Sequence, residues 1–168
     1  MLMRTRLLAA LLVAVLVAGG WWWARPDAPP PTEATVVRVV DGDTVYVQAG
    51  SRSYDVRLLG IDTPETVDPH RPVGCYGPEA SAYTKHLLTG RRVHLVYDRQ
   101  LHDVYGRWLA YVYLERPGRP DLFVNGRLIA AGYARTLSIP PNTLHAAELA
   151  TLERAAALGG RGLWSACG

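Results

Sequence analysis

The chain has 168 residues and a mass of 18.4 kDa, with 49% hydrophobic and 20% charged side chains. That is room for one well-buried domain, and it excludes a disordered tail, a collagen and a coiled coil. The net charge is only +3, yet seventeen of the eighteen cations are Arg and Lys85 is the exception, a bias that suits phosphate held at a site better than nucleic acid spread over a basic face.

Arg4 and Arg6 precede a charge-free run from Leu7 to Trp23 that ends in Trp21, Trp22 and Trp23. Such a run behind arginines reads as a hydrophobic signal or anchor helix over residues 1–23. Ala18, Gly19 and Gly20 suit signal cleavage, whereas the indole triplet suits an uncleaved membrane anchor through residues 7–23. On either reading the rest of the chain is extracytoplasmic, secreted or tethered. Pro26, Pro29, Pro30 and Pro31 make residues 24–33 a stiff linker. The folded domain is then 34–168, whose 15 basic and 13 acidic side chains leave it at +2.

Alternating β-branched residues predict strands over Thr35–Val40 and Thr44–Val47, with the hairpin signal Asp41-Gly42-Asp43 between them. Tyr54–Leu59 reads as a third strand. A Pro-rich loop follows, and Pro78 opens a helix to Leu88, its missing N–H harmless in the first turn. Strands return at Arg92–Tyr97 and Arg107–Tyr113. A short helix is expected over Asn125–Ala131, and a longer one over Thr143–Leu158, capped by Asn142 and stopped by Gly159. Three strands, a helix, two strands and helices make an α+β order, and five short strands can close as a small barrel.

Charged residues gather at the edges of these strands. Asp43 lies in the hairpin turn, Arg57 in the third strand, Asp62, Thr63 and Glu65 just beyond it, and Arg107 at the start of the fifth. Singly, each is an ordinary turn or surface residue. Together they are the parts for phosphodiester cleavage. Asp43 and Asp62 are carboxylate ligands for a hard divalent cation, and Pro64 holds Thr63 extended so that its carbonyl can be a third oxygen ligand. Arg57 and Arg107 suit the phosphate oxygens, where charge gathers as water attacks. Glu65 is the carboxylate left to deprotonate or orient that water. Two carboxylates around one ion give modest affinity, which suits Ca²⁺ outside the cell.

Asp41-Gly-Asp-Thr44, Arg57-Leu-Leu-Gly-Ile-Asp-Thr-Pro-Glu65, Tyr76-Gly-Pro-Glu-Ala-Ser81, Tyr105-Gly-Arg107 and Leu163-Trp-Ser165 occur in that order. Together they resemble the staphylococcal nuclease family over about Thr35 to Ser165. The resemblance implies a five-stranded OB-fold barrel with three helices, and a calcium-dependent nuclease of DNA and RNA that leaves 3′-phosphates. It places calcium on Asp43, Asp62 and the Thr63 carbonyl, the general base at Glu65, and the phosphate at Arg57, Arg107 and Tyr105. The chain departs from the family at Val104, where a lysine is usual, and in residues 135–142, where Ser138 and Pro140 stand for the nucleotide-stacking tyrosines. Weaker substrate binding or altered base preference is expected there, and Tyr133 is a candidate substitute. The loop from Val67 to Gly74, with His70, reads as variable surface.

Cys75 and Cys167 are an even pair in an oxidising compartment, without metal-ligand spacing, and are expected to form a disulfide. The scattered histidines have no ligand partners in sequence. The enzyme is expected to work as a monomer. The competing reading is a non-catalytic, membrane-anchored OB-fold module that binds nucleic acid or a protein; a chain that only binds has no use for carboxylates beside a phosphate.

Overall fold

The computed structural model describes residues 30–70 and 72–167, so the expected signal or anchor helix lies outside the described residues. Among the described residues no helix is long and apolar enough to cross a membrane. Residues 31–168 form a compact unit.

The strands are β1 (Glu33–Val39), β2 (Thr44–Ala49), β3 (Arg52–Leu58), β4 (Gly60–Asp62), β5 (Arg92–His102), β6 (Trp108–Leu114), β7 (Leu122–Phe123) and β8 (Arg135–Leu137). The helices are α1 (Gly77–Leu88), α2 (Val124–Ala130), α3 (Ala146–Leu158) and the single turn α4 (Leu163–Ala166). β1 pairs antiparallel with both β2 and β5, β2 with β3, and β5 with β6. The parallel pairing of β3 with β6, Val56 opposite Trp108 and Leu58 opposite Ala110, closes five strands into a barrel. An α+β barrel of the OB type is thus present, with β7 added at one edge and β4–β8 as a separate two-stranded sheet.

Period-two alternation fills the barrel. Val45, Val47, Val56 and Val112 are fully buried, and Leu88, Leu128, Ile129 and Leu149 join them from the helices. Each such side chain is worth about 1.5–3 kcal/mol when removed from water. Asn125, also fully buried, accepts from Val112 N–H at 2.9 Å and donates to the Leu59 carbonyl at 2.8 Å, fastening α2 to the end of β3.

Two local features aim the site. Leu58 N–H donates to the Asp43 carbonyl at 2.8 Å, stitching the β1–β2 turn to β3. Gly42 must be small, because a Cβ there would meet the Thr63 side chain at 2.6 Å, and its carbonyl accepts from the buried Thr84 hydroxyl of α1 at 2.8 Å. Gly60, at φ +75°, then turns the chain out of β3 into β4.

One expected cap is not used. Asn142 does not open the last long helix, which starts at Ala146 behind His145. The Asn142 side chain instead exchanges two 2.8 Å hydrogen bonds with the backbone of Gln100 on β5. A buried amide gains more by satisfying two strand groups than by meeting one helix N–H that water can reach. Gly159 does end that helix, as expected.

Candidate active site

Asp43 is 4% exposed, and the site is built around it. Its Oδ2 accepts from Thr63 N–H at 2.7 Å and Thr63 Oγ1 at 2.9 Å, and pairs with Arg57 Nη1 at 2.9 Å. Its Oδ1 accepts from the Thr44 hydroxyl at 3.3 Å. Burial pushes the Asp43 carboxyl up to about 6, with neighbouring Asp41 adding to the rise, against the opposing pull of Arg57 and the two Thr63 hydrogen bonds.

Arg57 joins the two candidate cation ligands. While Nη1 meets Asp43, Nη2 pairs with Asp62 Oδ1 at 2.8 Å, and Nη1 also donates to the Ile61 carbonyl at 3.0 Å. Asp62 itself is 57% exposed and opens to solvent. Strand pairing explains the convergence: Thr44 lies opposite Arg57, and a single residue, Leu59, separates β3 from β4.

Arg107 is held from the other side. Its Nε donates to Asp103 Oδ2 at 2.7 Å and its backbone N–H to Asp103 Oδ1 at 3.0 Å, while Nη1 reaches the Thr44 hydroxyl at 3.5 Å. The guanidinium carbon lies 5.4 Å from the Tyr105 ring centre, and Tyr105 is 81% exposed. Glu65 lines a cavity with Asp62, Thr63 and Pro64. Its Oε1 accepts from the backbone N–H groups of Thr66, Val67 and Asp68 at 2.7–3.1 Å, which fixes the carboxylate in one place.

Arg57 thus joins Asp43 to Asp62, Thr44 joins Asp43 to Arg107, and Glu65 shares a cavity with Asp62 and Thr63. Asp43, Asp62 and a Thr63 carbonyl are an all-oxygen donor set, which fits a hard divalent cation and not a soft one. Among the described residues no group of three His, Cys, Asp or Glu side chains could hold a metal ion.

Beside the cluster runs a groove of about 320 Å³, lined by Arg57, Tyr105, Arg107, Val104, Leu137 and Ile139 among others. From the 135–142 segment the groove is lined by Leu137 and Ile139, 40% and 60% exposed, and by the buried Asn142, and not by Ser138 or Pro140. The expected register is off by one, which in an extended segment moves every side chain to the other face. Tyr133 does not line the groove. It is stacked between Tyr76 and Tyr83, with ring centres 5.6 and 4.2 Å away.

Comparison of the sequence with known proteins identifies a family. The family model described as staphylococcal nuclease homologue covers residues 55–166. The chain is 41% identical over 130 residues to the thermonuclease of Staphylococcus hyicus, covering 77% of this chain and 74% of that one. The chain belongs to the staphylococcal nuclease family. It is also 41% identical over 107 residues to the thermonuclease of Staphylococcus intermedius and 35% identical over 136 residues to endonuclease YncB of Bacillus subtilis. It spans 61% and 62% of those two proteins.

Within this staphylococcal nuclease homologue, two groups were not singled out from sequence. Asp103 carries no motif beyond standing four residues before Arg107, a spacing that permits the ion pair seen here. Leu137 and Ile139 look like core residues in sequence, and only their exposure marks them as a groove wall. The expected disulfide is formed: Cys75 and Cys167 are bonded across 92 residues.

Proposed function

We propose that this nuclease depends on calcium, hydrolyses both DNA and RNA to leave 3′-phosphates, and acts outside the cytoplasm as a monomer. The observation that carries the reading is the Asp43–Arg57–Asp62 bridge with Arg107 anchored to the same turn through Thr44. Asp43, Asp62 and the Thr63 carbonyl would hold the cation, which when bound supplies positive charge against the phosphodiester anion.

The chain's own groups do the rest. Arg107, with Nε on Asp103, keeps Nη2 for a phosphate oxygen. Arg57 supplies the second guanidinium to the charge that builds on the equatorial oxygens. Glu65, fixed by three backbone donors, takes a proton from water as the water oxygen bonds phosphorus. The P–O5′ bond breaks, solvent protonates the departing 5′ oxygen, and the phosphate stays on the 3′ side. Tyr105 at the rim faces the nucleotide phosphate. The Leu137 and Ile139 wall meets a base by contact rather than by stacking.

Export is supported by the disulfide, which persists in oxidising compartments. The proposed organisation is a signal or anchor over 1–23, a linker over 24–33 and the nuclease domain over 34–168.

The test uses the full-length chain with single-stranded DNA and RNA, in calcium or in chelator. Cutting should need calcium and leave ends that carry 3′-phosphate. Glu65→Gln and Arg107→Ala should each lower kcat by about 10²–10³. Undiminished cutting in chelator, or full activity in both variants, refutes the assignment.

A further inference from the structure

Arg135 opens β8 directly across from Asp62 on β4. The two residues line a further cavity, of about 250 Å³, together with the Cys75–Cys167 bridge and with Thr63 and Pro64, which also line the Glu65 cavity. This cavity shares no lining residue with the Leu137 and Ile139 groove. The cluster is therefore open on the Asp62 side as well as toward that groove, and Arg135 on this side is not among the residues assigned above.

The Arg135 guanidinium carbon lies 4.2 Å from the ring centre of Trp164. Stacking on an indole holds the planar fork in one orientation and uses none of its N–H donors. Among the described residues no carboxylate or carbonyl accepts from that fork. Arg135 is exposed, so its donors are available to a ligand.

A nucleic acid strand with one base in the groove and its scissile phosphate at Arg57 has to continue past Asp62. Asp62, 57% exposed and paired with Arg57, marks that rim of the cluster. A guanidinium on the paired strand, held flat and with its donors open, suits bidentate binding of the next phosphate. Resting on the nuclease reading, we infer that Arg135 binds a non-scissile phosphate of the substrate strand, next to the one held by Arg57 and Arg107. It is a positioning residue that makes the enzyme favour polynucleotides over substrates with a single phosphate.

The experiment compares the full-length wild type with Arg135→Gln and Arg135→Lys on two substrates. One is a single-stranded DNA 12-mer, and the other is a nucleoside phosphodiester with one phosphate and a chromogenic leaving group. Arg135→Gln should raise KM for the 12-mer about tenfold, leave kcat unchanged on both, and leave KM for the one-phosphate substrate unchanged. The slope of log KM against log salt should fall by about 0.7, the value for one single-strand phosphate contact. Arg135→Lys should restore that slope but only part of the affinity, because it keeps charge and loses the fork. Equal losses on the two substrates, or a loss that follows a lower thermal midpoint with an unchanged salt slope, overturn the inference and leave Arg135 as a clamp on Trp164. A wild type that cuts neither substrate refutes the nuclease reading instead. Binding of a fluorescent 12-mer in chelator then decides Arg135 separately: tenfold weaker binding by Arg135→Gln upholds it, and equal binding overturns it.

Discussion

Replacing both cysteines, Cys75→Ser with Cys167→Ser, tests how far the cross-link carries this small domain. The bridge closes 92 residues, and the chain-entropy relation gives about 4.6 kcal/mol at 25 °C for a loop of that length. The folded side offers little to replace it. Cys167 follows α4, a four-residue helix with Leu163 as its buried anchor and a 2.9 Å bond from Leu163 N–H to the Gly132 carbonyl. Cys75 precedes α1 at the end of the loop that carries Glu65, and Gly74 N–H donates to the Glu65 carbonyl at 2.8 Å. Losing the bridge therefore frees α4 and slackens the loop beside the cluster. In a domain of this size the thermal midpoint should fall by roughly 15 °C, read by circular dichroism at one protein concentration. Wild type with reductant should melt with the double variant. A drop below about 3 °C, or a reduced wild type that keeps its oxidised midpoint, refutes the entropic reasoning.

Two further outcomes follow from the groove and its rim. Ile139→Tyr puts a ring where the groove now has an aliphatic wall, and base stacking of about 1–3 kcal/mol should lower KM for single-stranded DNA about tenfold with kcat unchanged; an unchanged KM removes this wall from the substrate path. At Asp103, burial raises the carboxyl, but the bonds from the Arg107 side chain and from the backbone N–H groups of Arg107 and Tyr105 outweigh it and hold the carboxyl below its ordinary 3.8. A carboxyl depressed on folding stabilises fully above its unfolded value and loses that stabilisation as pH falls through the folded one. The midpoint gap between wild type and Asp103→Asn should be constant from pH 7 to about pH 5 and narrow steadily as pH falls below the ordinary 3.8; a gap that does not narrow in acid refutes the ionic origin.

The barrel was legible because its strands obey local rules. Val45, Val47 and Val56 alternate inward, and Asp41-Gly42-Asp43 is a hairpin turn in sequence and in space. The parallel closure of β3 on β6 was not, since Val56 and Trp108 are 52 residues apart and no local period encodes their meeting. The polar cluster could be read as a set because its chemistry needs those residue types together. Its internal wiring could not: nothing local shows that Arg57 bridges Asp43 and Asp62, or that Asp103 orients Arg107. The 135–142 segment misled on both counts. Asn142 has a helix-cap residue type and serves β5 instead, and the groove-facing parity became visible only once β8 had paired with β4.

That segment also shows how chemistry and grip are divided in this enzyme. The proposed reacting groups stand on the β1–β2 turn, on β3 and β4 and just after them, and just before β6, fixed by backbone pairing and by Gly42 against Thr63. The groove wall and Arg135 both come from residues 135–139, which the β4–β8 ladder and the 2.6 Å bond from Thr136 Oγ1 to Glu153 hold separately. The wall can therefore change without moving the carboxylates. An aliphatic wall forgoes about 1–3 kcal/mol per stacked base, and one charge-assisted phosphate contact returns about 1.5–3 kcal/mol. The two terms are of the same size and sit two to four residues apart on one segment. Substrate grip moved from base face to phosphate keeps affinity while relaxing base preference, and it makes binding steeper in salt. A nuclease of this composition, rich in Arg yet only +2 over its domain, gains its hold on polynucleotides from a few placed guanidiniums and not from its overall field.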